Sequence, residues 1–198
     1  MAGYYDNGVL VNNLCDVHPK NILIAHGPKK LLVDKYHWHS PKVGIVASYT
    51  PKARDVEDHF GVFRGVDQIE AFAQATTGSL SAFLECEKNG LAPRDMQNKF
   101  VPSFIGIGAV NFVGYLEEGD TFVMLGKKTF YKFRQMVCEG RIFKCPKGLD
   151  LDAYFKDFTE ERLLKYDLDP DFKLVSALFD VTGRAVETEY FKTKKLTN

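Results

Sequence analysis

The sequence predicts an α+β fold, an antiparallel sheet wrapped around one long central helix. Three observations lead there. Residues 58–88 pass from a Gly-containing loop into a helix that is apolar or small on nearly every side, so other backbone has to surround it. Short runs rich in Phe, Ile and Val, bounded by turn residues, occupy much of the remaining chain. No internal repeat or low-complexity linker divides the 198 residues, whose 45% hydrophobic and 13% aromatic content suffices for one core. Residues 1–198 therefore read as one domain, with a charged, partly helical insert at about 146–171.

In chain order, residues 1–21 are polar and irregular, with turns at Asn7-Gly8 and His18-Pro19. A strand is expected around 31–38 and a second near 43–49, bounded by prolines. Strict alternation places His37 and His39 on one face of the first strand. A zinc site needs further ligands, and none stands nearby, so an edge-strand surface is expected and no metal is implied.

In the central helix Val66, Ile69, Ala73, Leu80, Phe83 and Leu84 form one stripe, while Ala71, Ala75, Gly78 and Ala82 fill much of the rest. Gly90 suits a C-cap and Pro93 forbids continuation. Beyond it, a turn at 117–120 separates two strands, and residues 129–144 read as a hairpin turning at Glu139-Gly140. The insert at 146–171 carries an amphipathic helix from about Asp157 to Lys165 and suits a flap. Residues 172–192 read as two more strands around a turn at 180–183, and the last residues as a frayed tail.

Lys+Arg and Asp+Glu both number 26, so the formal net charge is zero and the basic excess of a nucleic-acid binder is missing. No apolar run is long enough to span a membrane, and the first residues show neither a basic n-region nor an apolar signal core. A cytoplasmic protein is expected. Cys15, Cys86, Cys138 and Cys145 show no CxxC pair or metal-ligand spacing; Cys86 reads as a buried helix residue, Cys138 and Cys145 as structural.

The chemistry-bearing residues sit at the start of the central helix. Glu70 and Gln74 share a helix face that is expected to be buried, where a lone carboxylate is rare without a partner or a task. His59 stands in the preceding loop, and Gly65 sits where the helix N-terminus presents unpaired N–H groups. A histidine, a carboxylate and an N–H donor are the parts for acid–base chemistry on an acyl group. By spacing alone the plain alternative weighs as much: His59 an exposed loop residue, and Glu70 a first-turn acid that favours the helix dipole.

Three stretches resemble the hot-dog-fold β-hydroxyacyl-(acyl carrier protein) dehydratases. In that family an early segment reads roughly L-P-H-R-Y-P-F-L-L-V-D-R; residues 24–35 here read I-A-H-G-P-K-K-L-L-V-D-K. The family's H-F-P-G-x-P-x-M-P-G followed by V-x-x-x-E-A-x-A-Q-A is matched by H-F-G-V-F-R-G from His59 and V-D-Q-I-E-A-F-A-Q-A from Val66. The turn Glu118-Gly119-Asp120 is similar to the family's P-G-D turn, and FDVTGRAVETEYF looks like its last hairpin.

The resemblance implies a hot-dog fold and dehydration of a 3-hydroxyacyl thioester to the trans-2-enoyl thioester, in a lipid or polyketide pathway. It implies His59 as the histidine that takes a proton and Glu70 as the carboxylic acid that gives one, protonated because an apolar helix raises its pKa. Gln74 would support Glu70, and the Gly65 N–H would polarise the thioester carbonyl. Phe60, Phe63 and Phe72 would line an acyl tunnel. The histidine and carboxylate of one site would come from different protomers, so a homodimer or dimer-based oligomer is implied. The partners would be acyl carrier protein or a CoA thioester, with no cofactor beyond the phosphopantetheine arm of the carrier or CoA.

Arg64, Lys127, Lys128, Lys132 and Arg134 are candidates to meet an acidic carrier. This chain departs from the family pattern in a shorter loop from His59 to Gly65 that lacks both prolines, and in the insert, which could reshape the tunnel. Thioester hydrolysis, isomerisation and non-catalytic binding of an acyl chain or carrier stand as the alternatives.

Overall fold

The computed structural model describes residues 3–96 and 99–189. A small hairpin of β1 (Tyr4–Asp6) and β2 (Val9–Val11) and a short helix α1 (Pro19–Ile22) lead into β3 (Lys35–Ser40) and β4 (Gly44–Tyr49). After α2 (Ala53–Val56) and β5 (Val62–Phe63), the chain enters the central helix. That helix is built of α3 (Gly65–Ala73), a π turn (Gln74–Gly78) and α4 (Ser79–Asn89), with right-handed helical backbone at both junctions.

The extra residue of the π turn has a local cause. Thr76 and Thr77 donate their hydroxyls back to the carbonyls of Phe72 at 2.6 Å and Ala73 at 3.0 Å, and Ser79 donates to Gln74 O at 2.8 Å. Those bonds compete with the ordinary ladder and widen it. Gly90, at φ 63°, ends the helix.

The remaining strands follow α5 (Pro93–Met96): β6 (Phe100–Gly106), β7 (Ala109–Phe112), β8 (Leu116–Glu117), β9 (Phe122–Lys132), β10 (Gln135–Lys144) and β11 (Lys173–Glu187). The main sheet is antiparallel in the order β3-β4-β9-β10-β11-β6, with β7 also on β11. Its inner face wraps the central helix closely enough to exclude side chains at the crossing. A Cβ on Gly126 would stand 2.1 Å from Thr76 Cγ2, and one on Gly140 2.5 Å from the Phe72 ring.

The outer face is covered too. The insert folds as α6 (Leu151–Phe155) and α7 (Glu160–Lys165), and Phe155, Phe158, Leu163 and Phe172 pack on Val46, Val123, Leu125 and Phe143. With both faces occupied, every residue of β4 is buried. The insert is therefore a second core layer and not a flap over the helix side. Its expected helix starts at Glu160, capped by the Thr159 side chain, and α6 is additional.

Two expected turns are corrected. The β9–β10 hairpin turns at Phe133-Arg134, both at positive φ (52° and 62°), the geometry of a type I′ turn. Glu139 and Gly140 lie in mid-strand, because Gly140 serves the helix contact and not a turn. Residues 172–189 do not form two strands around 180–183: β11 runs through, and Asp180, at φ 53°, sits in a bulge where two residues face one on β10; the rest of the expected hairpin and the tail lie outside the described residues.

A bulge also breaks the alternation of β3, so His37 and His39 part company. His37 faces the insert through Asp152 at 2.9 Å and the Phe155 ring, while His39 packs edge-on against Phe83 of α4. Neither is plain edge surface; His39 is only 7% exposed. Cys86, Cys138 and Cys145 are buried and free. No helix among the described residues is long and apolar enough to cross a membrane.

Candidate active site

The N-terminal part of the central helix keeps one face on the sheet, where buried Gln68 accepts from the Ser176 hydroxyl of β11 at 3.1 Å, and turns Glu70 onto a cleft. Gln74 is 1% exposed and ties three elements together. Its Nε2 donates to Lys30 O at 2.7 Å and to Glu70 Oε1 at 2.8 Å, and its Oε1 accepts from the Leu32 N–H at 2.9 Å. Because every hydrogen-bonding group of this amide is used, its orientation is fixed, and so is the side of Glu70 it touches.

Glu70 itself is not buried: its side chain is 48% exposed. The Nε2 of His26, from the loop after α1, lies 3.6 Å from the same Oε1, at ion-pair and not hydrogen-bond distance. Interaction with His26 outweighs partial burial and, with the bond from Gln74 and the charge of Lys30, holds the Glu70 carboxyl below its ordinary range. The expected environment was an apolar one that keeps this acid protonated. Exposure and a neighbouring imidazole reverse the sign, and Glu70 is an ionised carboxylate at neutral pH.

His59 is exposed on the loop between α2 and β5 and lines the same cleft, of about 580 Å³, as Glu70 and His26. No hydrogen bond or ion pair among the described residues joins His59 to Glu70. Around them the cleft carries Lys29, Lys30, Arg54 and Arg64 against Asp55, Asp58 and Asp67, and Arg64 is tied to Asp67 at 2.6 Å. Gly65 opens α3 with the Phe112 ring pressed on it; a Cβ there would meet that ring at 2.8 Å.

The three phenylalanines separate. Phe60, at φ 53°, projects into solvent; Phe63 is buried and backs the cleft; Phe72 belongs to the core against Gly140. An apolar cavity of about 90 Å³ lies elsewhere, between Ile22, Leu23, Ala82, Cys86, Met96 and Phe100. A polar pocket of about 150 Å³ bearing Glu70, Thr77 and Arg184 adjoins it, and His26 lines both of these spaces as well as the cleft. His26 is thus the residue that sequence reasoning passed over. Its signal was present, as the histidine of the I-A-H-G-P segment.

The other cations expected to greet a carrier are engaged. Lys127 lies over the Tyr166 ring at 3.9 Å, Lys128 donates to Pro41 O at 2.6 Å, Lys132 lies over Phe133 at 4.9 Å, and Arg134 pairs with Glu187 at 2.8 Å.

No protein-family model and no curated protein sequence matches this chain. Solved structures do. The dehydratase heterocomplex ApeI:P from Xenorhabdus doucetiae superposes with a TM-score of 0.58 at 14% identity, covering 88% of this chain and 95% of that one. A Streptococcus mutans protein bound to acetyl CoA gives 0.45 at 11% identity, over 82% of this chain and 97% of that one. The E. coli PaaI protein from the phenylacetic acid degradation operon gives 0.43 at 13% identity, over 74% and 79%. With one continuous helix wrapped by an antiparallel sheet, this chain has the hot-dog fold.

Proposed function

We propose that this protein acts on acyl thioesters and dehydrates a 3-hydroxyacyl group to the trans-2-enoyl form. The observation that carries the reading is Glu70, fixed by Gln74 and His26 at the mouth of a cleft it shares with His59. Elimination needs a proton removed from C2, negative charge on the thioester oxygen stabilised, and a proton delivered to the departing C3 hydroxyl. Glu70 is the group placed to move these protons, and the helix start at Gly65 supplies an N–H for the carbonyl. The thioester comes on acyl carrier protein or CoA, whose pantetheine arm enters the cleft, and the protein requires no cofactor of its own.

The active form is a homodimer, in which His59 of a second protomer can approach Glu70. Support comes from the edge at β6 and β7, which no other strand among the described residues pairs, and where Phe104, Ile105, Phe112 and Val113 are exposed. Sedimentation at micromolar concentration is expected to show a dimer.

The test is a panel of 3-hydroxyacyl and trans-2-enoyl thioesters of graded length, followed by enoyl absorbance in both directions. Interconversion that falls at least about 100-fold in Glu70→Gln is the expected result. One observation favours a second reading. An ionised Glu70 can take a proton from water, and thiol release without interconversion would assign thioester hydrolysis instead.

A further inference from the structure

The structure assigns Glu70 the role of base, held for it by His26 of its own protomer acting as a positioning residue. This rests on the reading that the site handles acyl thioesters, and it exchanges the role that the resemblance implies for this carboxylate. The geometry is specific about which oxygen works. His26 Nε2 and Gln74 Nε2 both approach Oε1, at 3.6 Å and 2.8 Å, and no bond among the described residues falls on Oε2. Gln74 is in turn immobilised by Lys30 and Leu32 backbone. The carboxylate is therefore gripped on one oxygen and offers the other. His26 is well placed to grip because it stands between the cleft and the apolar cavity, 22% exposed in its side chain.

In this arrangement Oε2 takes the proton from C2 as the C2–H bond breaks, and its electron pair forms the C2=C3 double bond. The C3–O bond breaks, the departing hydroxyl takes the same proton back from the Glu70 carboxyl, and water leaves. Glu70 is again a carboxylate, and no other reactant is consumed. The groups facing it are His26, Lys29 and Lys30 from the loop after α1, and Arg54, Asp55, Asp58 and His59 from α2 and its loop. Asp67 stands one turn earlier and Arg64 at the helix N-cap, with Arg184 of β11 on the other side.

The experiment measures deuterium entry at C2 of a saturated acyl-pantetheine thioester in D2O, together with the pH dependence of dehydration. Wild type, Glu70→Gln, His26→Ala and His26→Gln are compared. Glu70→Gln is expected to lose C2 exchange by at least about 100-fold. His26→Ala should lower kcat more than it changes KM and move the limb for Glu70 ionisation to higher pH, with His26→Gln, which keeps an N–H donor, restoring part of both. Exchange at the wild-type rate in Glu70→Gln would overturn the base role and give the proton to an imidazole. An unmoved limb in His26→Ala would overturn the positioning role. A wild type that neither exchanges nor eliminates would overturn the dehydration reading and the base role together. The His26–Glu70 coupling is read independently by carbon NMR titration of the Glu70 carboxyl, and a midpoint unchanged by His26→Ala would sink it.

Discussion

The two faces of the main sheet are built on opposite principles. The inner face meets the helix by subtraction: Gly126 and Gly140 leave room for Thr76 and Phe72, so backbone packs on side chain with no layer between. The outer face meets the insert by addition, with Phe155, Phe158, Leu163 and Phe172 stacked as an aromatic-rich layer on Val46, Val123 and Leu125. Shape is critical on the first face, and buried apolar area on the second. The candidate site belongs to the first face, because the π turn and Gln74 lie on the helix that those glycines admit.

The sharpest way to break the comparison is to add atoms where the structure has none. Gly140→Val puts a branched side chain against both Leu125 O, 2.1 Å from the first added carbon, and the Phe72 ring. Backbone cannot yield as a flexible side chain would, so the wrap must open. The expected outcome is loss of the cooperative unfolding transition, read by circular dichroism during a urea titration. A variant that unfolds like the wild type would show that the helix is not held by close approach.

Removing atoms from the outer face should cost less and stay local. Phe155 is 1% exposed and touches His37, Tyr154 and Phe158, so Phe155→Ala is expected to cost about 3–5 kcal/mol by urea unfolding. The insert lines neither the cleft nor the apolar cavity, so any turnover should persist in the folded fraction. Loss of turnover with stability intact would bring the insert back as a lid.

The same contrast explains what the sequence made legible. The central helix was readable because small and apolar residues run all round it, a pattern no surface helix shows. Glu70 and Gln74 were readable as a pair because i and i+4 are neighbours on any helix. The exposure of Glu70 was not, since the sheet covers only one face of the helix there, with Gln68 buried against Ser176 of β11, and periodicity carries no information on which face stays open. Phe133-Arg134 gave no turn signal, because a type I′ turn is ordinarily marked by Asn or Gly, and Gly140 gave a false one, being small for packing. The parting of His37 and His39 depended on a bulge that alternation cannot reveal. His26 was hidden differently: a lone histidine in a loop is unremarkable until folding sets it 3.6 Å from Glu70.

The two histidines of β3 sharpen the comparison by titration. His39, on the inner face, accepts from the Leu14 N–H at 3.2 Å, and burial, with Lys128 adding to it, pushes its imidazole down to about 4. His37, on the outer face, is also lowered by burial, but Asp152 pulls the other way. A folded-state pKa below the unfolded one means that the unfolded chain binds the proton first. The stability contributed by neutral His39 is therefore fully present above about pH 6.5 and is lost as the pH falls toward about 4, amounting to about 3 kcal/mol across that window. Asp152 and Glu70, both lowered, lose their contributions in the same direction but further into acid. His39→Phe forfeits the bond to Leu14, so its absolute stability is not the readout. The slope is: stability measured by urea unfolding from pH 7 to 4 should fall less steeply in His39→Phe than in the wild type. His37→Phe should change the slope less, because the carboxylate of Asp152 already offsets part of the burial there. Parallel slopes in wild type and His39→Phe would mean that water reaches His39 behind Phe83, and that the inner face is less tightly closed than its glycines require.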